Sequence, residues 1–113
     1  MKQFSESLDL CNKILQNFPN YNIALYHKER ILFSMKQFTE SIECCDIILK
    51  EYPKNLDVLF DKACSLNLLN KIDDAMDILE LILTNYVIFK AKIQNSKQFE
   101  NLKHNIRFQK LIS

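Results

Sequence analysis

The chain has no glycine and only two prolines among its 113 residues. Phosphate-cradling loops depend on glycine, because the backbone there approaches the ligand closely and adopts positive φ angles. The lack of glycine therefore excludes P-loops and dinucleotide-binding turns. The length, with 48% apolar residues, suits one small domain with its own core.

Cysteines with metal-site spacing and long apolar segments are also missing. Four cysteines are present without the C-x-x-C spacing of a zinc site: Cys11, Cys44, Cys45 and Cys64. We expect them to be reduced, with no disulfide. The longest apolar runs, such as the one from Ala75 to Leu83, are interrupted by acidic residues and fall short of the roughly 20 residues that span a bilayer. No signal-like segment opens the chain, and we expect a cytoplasmic location.

The net charge of +1 is uninformative, but the charge is unevenly distributed. Residues 1–89 carry nine basic and thirteen acidic side chains, whereas residues 90–113 carry six basic side chains and one acidic side chain, Glu100. The C-terminal segment is therefore a basic strip beside an acidic body.

An internal repeat with a period of 34 residues is the strongest pattern in the chain. The segment Met1 to Phe4 recurs as Met35 to Phe38, and nine of the twenty residues that start at Lys2 are identical to those that start at Lys36. A third copy begins near Asn70. Sequence identity over this length predicts that the same structural unit recurs along the chain.

Each unit places its apolar residues three and four positions apart, which makes one stripe along a helix. Pro19 and Pro53 end two of these helices, and Asn55 can cap the next one. The pattern predicts helices near residues 3–17, 22–34, 37–51, 56–69 and 72–86, with shorter helical pieces after residue 90. The short loops make neighbouring helices antiparallel, and the stripes predict one continuous core.

These features resemble the tetratricopeptide repeat family over residues 1 to about 87. The proline that closes helix B in that family matches Pro19 and Pro53, and its aromatic at the start of helix B matches Phe4 and Phe38. The small residue one turn later matches Ser7, Ser41 and Ala75. The resemblance implies an all-α fold of antiparallel helix-turn-helix repeats, stacked as a short right-handed α-solenoid that binds proteins and is not an enzyme.

The implied division is a half-repeat at 1–21, repeats at 22–55 and 56–89, and a C-terminal capping segment at 90–113.

Two positions depart from the family pattern. Glu29 occupies the place of a small residue that Ala63 fills in the next repeat, which predicts looser packing. Val87 stands where a proline is expected, so the third helix B is expected to continue past residue 86.

In this family helix A lines the concave surface, and the matching positions imply a peptide groove with aromatic anchors. The candidate groove residues are Ile23, Tyr26, Arg30, Phe33, Asp57, Phe60, Cys64 and Asn67. The alternative is that these aromatic side chains only pack between helices. The family's clamp for C-terminal carboxylates would fall on Tyr26, Arg30, Asp57 and Asp61, two of which are acidic. We therefore expect a mixed, apolar or partly basic peptide instead.

No catalytic, metal or cofactor site is expected. His27 has no carboxylate or cysteine three or four residues away, and His104 has only Glu100. Asp73, Asp74 and Asp77 lie at a helix start, where carboxylates complement the dipole.

The basic strip provides an alternative function, the binding of RNA or an acidic partner. Its basic residues alternate with Phe99 and Phe108: Lys90, Lys92, Lys97, Lys103, Arg107 and Lys110. The competing interpretation has the strip's apolar residues docked on the acidic body with the lysines in water. Nucleic acid is accordingly the less favoured partner.

The repeat register places Met1 at the end of a helix A that the sequence does not supply. The apolar stripe of the first helix, with Phe4 and Leu8, would then lack a cover on one side. We expect two copies to pair through this helix as a homodimer; the alternative is a monomer with a partly exposed first helix.

Overall fold

Five long helices follow one another along the chain. The computed structural model describes residues 2–113, and Met1, with the register assigned to it, lies outside the described residues. The helices are α1 (Lys2–Asn17), α2 (Asn22–Ser34), α3 (Phe38–Glu51), α4 (Leu56–Leu68) and α5 (Ile72–Asn85). Their bounds agree with the predicted ones to within one residue. Among residues 2–113 there is no β-strand, and the fold is all-helical.

The long helices pack as a row in chain order. Each contacts its successor, from α1 against α2 to α4 against α5, and α2 also contacts α4. The connections of three or four residues reverse the chain direction, as expected for antiparallel helix pairs. The described chain is elongated, with extents of 45 × 29 × 20 Å. This arrangement is that of an α-solenoid.

The turns after α2 and α4 use left-handed backbone without glycine. Lys36 has a φ of 63° and Asn70 a φ of 62°, and these residues are one repeat apart. The next residue in each turn bonds back into the helix, Gln37 N–H to Leu32 O at 2.8 Å and Lys71 N–H to Leu66 O at 2.9 Å. This six-to-one bond is the Schellman closure, in which glycine is usually found. The two repeats therefore share one turn geometry.

The ends of α3 and α5 are also equivalent, although only α3 is followed by proline. Tyr52 and Tyr86 are the C-caps, with extended φ angles of −126° and −141°. Their N–H groups donate to Ile48 O and Ile82 O at 2.9 and 2.8 Å. The expectation that the third helix B continues past residue 86 is therefore wrong. The tyrosine leaves the helical region before the position of Val87 is reached.

The C-terminal segment consists of short helical pieces. A 3-10 turn at Val87–Phe89 leads into α6 (Lys90–Gln94), and a second 3-10 stretch, Lys97–Leu102, precedes α7 (Ile106–Ile112). Asn105 Oδ1 caps α7 by accepting from Phe108 N–H at 3.0 Å. In α5, Asp77 and Glu80 accept hydrogen bonds from Arg107 of α7 at 2.6 and 2.9 Å. The basic strip thus contacts an acidic helix.

Two apolar clusters form the core, where the sequence predicted one. The first lies among α2, α3 and α4 and contains Leu25, Leu32, Cys44, Cys45, Ile48 and Val58. The second joins α4 and α5 to the C-terminal segment and contains Leu59, Ala63, Cys64, Met76, Leu79, Ile82, Ile93, Phe99, Leu102 and Phe108. Leu49 packs against both clusters and connects them. Within the described chain, no helix is both long enough and apolar enough to cross a membrane.

Candidate functional site

The central part of the predicted groove lies where α2 and α4 run side by side. We call this surface the α2–α4 groove, formed by Tyr26, Arg30 and Phe33 of α2 and Phe60 and Asp61 of α4. The three aromatic side chains are half-buried, whereas 58% of the Arg30 side chain is exposed. Arg30 Nη1 donates to the Tyr26 hydroxyl at 2.8 Å and lies 3.9 Å from Asp61 Oδ2. Aromatic rings and charged groups of both signs therefore border one surface.

Two of the predicted groove residues lie at helix starts. Ile23 is 59% exposed in the first turn of α2, and Asp57 is exposed in the first turn of α4. The Asp57 carboxylate there complements the dipole of α4. Both side chains are therefore accessible at the N-terminal ends of α2 and α4.

Cys64 and Asn67, also predicted to line the groove, are each 4% exposed. Asn67 Nδ2 donates to Gln98 O and to Asn101 Oδ1, both at 2.8 Å, and Asn101 Nδ2 returns a bond to Asn67 Oδ1 at 3.0 Å. The C-terminal segment packs over α4 at these positions and satisfies the Asn67 amide. Asn67 is therefore covered by the C-terminal segment, whereas Cys64 lines a small cavity beside Phe60.

A small cavity opens in the floor of the α2–α4 groove, and we call it the acid pocket. Its volume is about 180 Å³. It is lined by Glu29, Arg30, Phe33, Ser34, Phe60, Asp61, Cys64 and Gln98. Two carboxyl groups in so small a space dominate its electrostatics.

Glu29 is the unexpected residue of this pocket, since its side chain is completely buried. Ser41 Oγ of α3 donates to the Glu29 backbone carbonyl at 2.8 Å, and Cys45 Sγ contacts Glu29 Oε2 at 3.7 Å. Burial, then the hydrogen bond and negative charge of Asp61, raise the pKa of Glu29 to about 9. At neutral pH the Glu29 carboxyl group is therefore protonated and can donate a hydrogen bond to Asp61.

The sequence contained one signal for this pair. Glu29 replaces the small residue that Ala63 supplies one repeat later, so a carboxyl group had to enter a tight helix contact. Ser41 and Cys45 of α3 provide polar hydrogen atoms for it. Asp61 could not be identified as its partner from sequence, because they meet only when α2 and α4 pack together.

The Phe60 ring forms the end of the groove nearest to the C-terminal segment. It contacts Phe99 edge to face, with ring centroids 5.4 Å apart. Lys92 Nζ of α6 lies 4.8 Å from the Phe60 centroid and 5.2 Å from that of Phe89. Phe60 is therefore held by packing and already accepts one cation over its ring.

The basic strip does not present the aromatic rings that the RNA-binding alternative requires. Phe99 and Phe108 are 1% and 3% exposed, so they cannot stack on bases. Arg107 is engaged by Asp77 and Glu80. The strip offers lysine charges alone.

All four cysteines are free and buried. Burial raises the pKa of Cys44 to about 11 and that of Cys64 to about 12. These thiols are therefore protonated at neutral pH, which makes them poor nucleophiles. Among the described residues, no cluster of three metal-ligating side chains occurs.

A larger depression of about 650 Å³ lies at the start of α2 and the turn after α3. Its lining includes Asn22, Tyr52 and Asn55, and it contains no buried charged group. We therefore take the α2–α4 groove with its acid pocket as the candidate site.

Comparison with family models matches residues 57–86, from α4 to the end of α5, to the tetratricopeptide repeat. Comparisons with curated proteins and with solved structures return no significant match. The matched segment is one helix-turn-helix unit of the fold, and its 34-residue period extends to α2 and α3. The match and the all-helical fold together support a helical repeat protein of the tetratricopeptide type.

Proposed function

We propose that the protein is a non-catalytic interaction scaffold that binds a peptide or protein segment along the concave α2–α4 groove. Proteins of the tetratricopeptide type are typically protein-binding scaffolds. The observation that carries the proposal is the set of half-buried rings of Tyr26, Phe33 and Phe60 on α2 and α4, of which Phe33 and Phe60 line the acid pocket. Aromatic side chains that are held by packing lose little conformational freedom on binding and serve as anchors.

The proposed architecture assigns a role to each part of the chain. Residues 22–55 and 56–89 each contribute one helix to the groove, residues 1–21 form a half-repeat, and residues 90–113 cap the array. The capping role is supported by the burial of Phe99 and Phe108 in the cluster that contains Leu79. A cytoplasmic location is part of the same proposal, and the four unpaired cysteines favour it.

The charge of the groove indicates the class of peptide. Asp57 and Asp61 on α4 oppose a free carboxylate, while Arg30 is already close to Asp61 and bonded to Tyr26. A ligand with apolar and basic side chains fits this distribution better than an acidic one. A basic or mixed peptide is therefore the proposed ligand.

The test is a selection of binders from a random peptide library displayed against the intact chain, followed by affinity measurements. We expect Tyr26→Ala to weaken the selected peptides about tenfold, as loss of an aromatic anchor does. Tyr86→Ala is the matched control, since Tyr86 is 39% exposed at the end of α5, outside the groove. Equal affinities for the wild type and Tyr26→Ala would refute the groove.

A further inference from the structure

The acid pocket contains a fully buried side chain with an unsatisfied polar atom. Glu29 is 0% exposed, lines the pocket, and its Oε1 has no hydrogen-bond partner other than the neighbouring acid. Asp61 Oδ2, on the facing helix, is buried and likewise has no other hydrogen-bond partner. The two carboxyl groups are close enough to hydrogen-bond to each other. Two buried acceptor oxygens from different helices thus lie at the wall of one small pocket.

Such a pair needs one positive charge between or beside its members, because two contacting carboxylates out of water repel each other strongly. Ser41 and Cys45 face Glu29 from α3 and are neutral. Arg30 is 3.9 Å from Asp61, is bonded to Tyr26 and is more than half exposed. Arg30 therefore offsets only part of the negative charge, and the rest requires a bound proton or a cation that enters from outside.

The volume and the lining residues of the pocket indicate which cation would fit, namely a single cationic side chain. A volume of about 180 Å³ is below the roughly 300 Å³ at which small-molecule sites begin, so it suits a single side chain. Phe33 and Phe60 line the pocket beside the acids, and such rings favour both an alkyl stem and a cation over their faces. Within the chain itself, the Lys92 ammonium already makes such a cation–ring contact with Phe60.

An ammonium group matches the two acceptors better than a guanidinium group. Glu29 Oε1 and Asp61 Oδ2 belong to two side chains, whereas the planar guanidinium fork fits the two oxygens of one carboxylate. A compact ammonium with three rotatable donors can bond to both oxygens at once.

We propose that the acid pocket is the subsite for one lysine side chain of the peptide that binds the α2–α4 groove, with its ammonium group held by Glu29 and Asp61. This assignment rests on the proposed function and names the residue type that the site would recognise. When the ammonium enters, the Glu29 proton leaves to solvent.

The test on the pocket itself uses n-butylammonium chloride, which reproduces the end of a lysine side chain. Amide shifts of the ¹⁵N-labelled chain are followed at pH 7, with n-butanol as the uncharged match and sodium chloride as the ionic-strength control. We expect saturable shifts at residues 29–33 and 60–64, and at least tenfold weaker binding of n-butanol. Equal effects of the amine and the alcohol would overturn the proposal.

Two variants test whether Glu29 and Asp61 bind the ammonium group. Combined Glu29→Gln and Asp61→Asn substitutions keep the side-chain shapes and are expected to weaken n-butylammonium at least tenfold. Arg30→Gln removes a competing cation from an exposed position and is expected to tighten binding about threefold. Unchanged binding in the double variant, or weaker binding in Arg30→Gln, would overturn the assignment.

The peptide measurement separates this proposal from the function it rests on. In peptides selected on the wild type, replacement of a lysine by norleucine should cost at least tenfold, and the double variant should lose this discrimination. Peptides that depend on Tyr26 but need no lysine would overturn the subsite and leave the groove intact. Selection that yields no binder would overturn both.

Discussion

At the scale of single residues, Glu29 shows how one substitution in a repeat can create a site. Its equivalent one repeat later, Ala63, is fully buried and makes a plain helix contact. Glu29 is equally buried but brings a carboxyl group, which Ser41 and Asp61 engage. A buried carboxyl group is usually costly, and here protonation removes the charge. The stability of the fold should therefore depend on pH through this residue.

The first prediction concerns that dependence. The folded chain keeps the Glu29 proton at pH values where the unfolded chain, with an ordinary glutamate pKa of about 4.3, has lost it. The stabilisation that protonated Glu29 gives the folded state is fully present below about pH 4. It is lost as the pH rises through the raised pKa of the folded state. Relative to Glu29→Gln, the wild type should lose about 1 kcal/mol or more of unfolding free energy between about pH 5 and about pH 8.

Urea unfolding at several pH values provides the measurement. Glu43→Gln, at an exposed position of α3, is the control and should run parallel to the wild type. If the Glu29→Gln curve also runs parallel to the wild type, Glu29 does not carry a raised pKa.

At the scale of elements, both repeats turn and end in the same way although their residues differ. The left-handed turn residue is Lys36 in one repeat and Asn70 in the other, with nearly equal φ angles. The left-handed region costs a residue with a Cβ roughly 1–2 kcal/mol, which glycine avoids. The chain therefore carries strain at these turns that a glycine would relieve.

The second prediction follows from that strain. Lys36→Gly should raise the free energy of unfolding by about 0.5–1 kcal/mol, after the greater freedom of glycine in the unfolded chain is subtracted. The same change at Lys13, an exposed position inside α1, should lower it by about 1 kcal/mol. Thermal unfolding of both variants measures the difference in sign. A loss of stability in Lys36→Gly would contradict the turn geometry.

The C-terminal segment depends on a few large side chains for its attachment. Phe99 is 1% exposed and contacts Phe60 and Phe108. Phe99→Ala should therefore cost about 3–5 kcal/mol, a large part of the stability of a small domain. Phe18→Ala, at a ring that is 65% exposed, should change stability by no more than about 0.5 kcal/mol. Similar melting temperatures for the two variants would show that the segment is not held by this ring.

At the scale of the whole molecule, the shape is that of a stack rather than a sphere. The radius of gyration is 14.7 Å, whereas a compact domain of this length has about 13 Å. Elongation leaves much of each outer helix in contact with solvent. On α1, Leu10 is 62% exposed, and Phe18 directly after the helix is 65% exposed, while Leu8 and Leu15 are half-buried.

Self-association through α1 remains a prediction from this exposed apolar face. Burial of a few hundred Å² at roughly 25 cal/mol per Å² provides several kcal/mol before the entropy of association is subtracted. We expect a dimer in sedimentation equilibrium at micromolar concentration and a monomer for Leu10→Glu, which changes the exposed face. Gln16→Glu, which adds the same charge at an exposed position, should remain dimeric. A monomeric wild type would rule the pairing out.

The sequence predicted the five long helices well because each carries a clear apolar period and the 34-residue repeat checks one copy against another. The end of α5 was missed because the expected proline is absent, although Tyr86 performs the same backbone change as Tyr52. The acid pocket was missed because Glu29 and Asp61 are separated along the chain by most of a repeat. The burial of Asn67 depended on how the C-terminal segment docks, which periodicity does not encode.

Binding of ligands along α2 and α4 can be measured by chemical-shift mapping of a selected peptide on the ¹⁵N-labelled chain. We expect the largest shifts at the amides of Tyr26, Arg30, Phe33 and Phe60, with little change in α1 and α7. Largest shifts at the lysines of the C-terminal segment, or on α1 and α3, would contradict it.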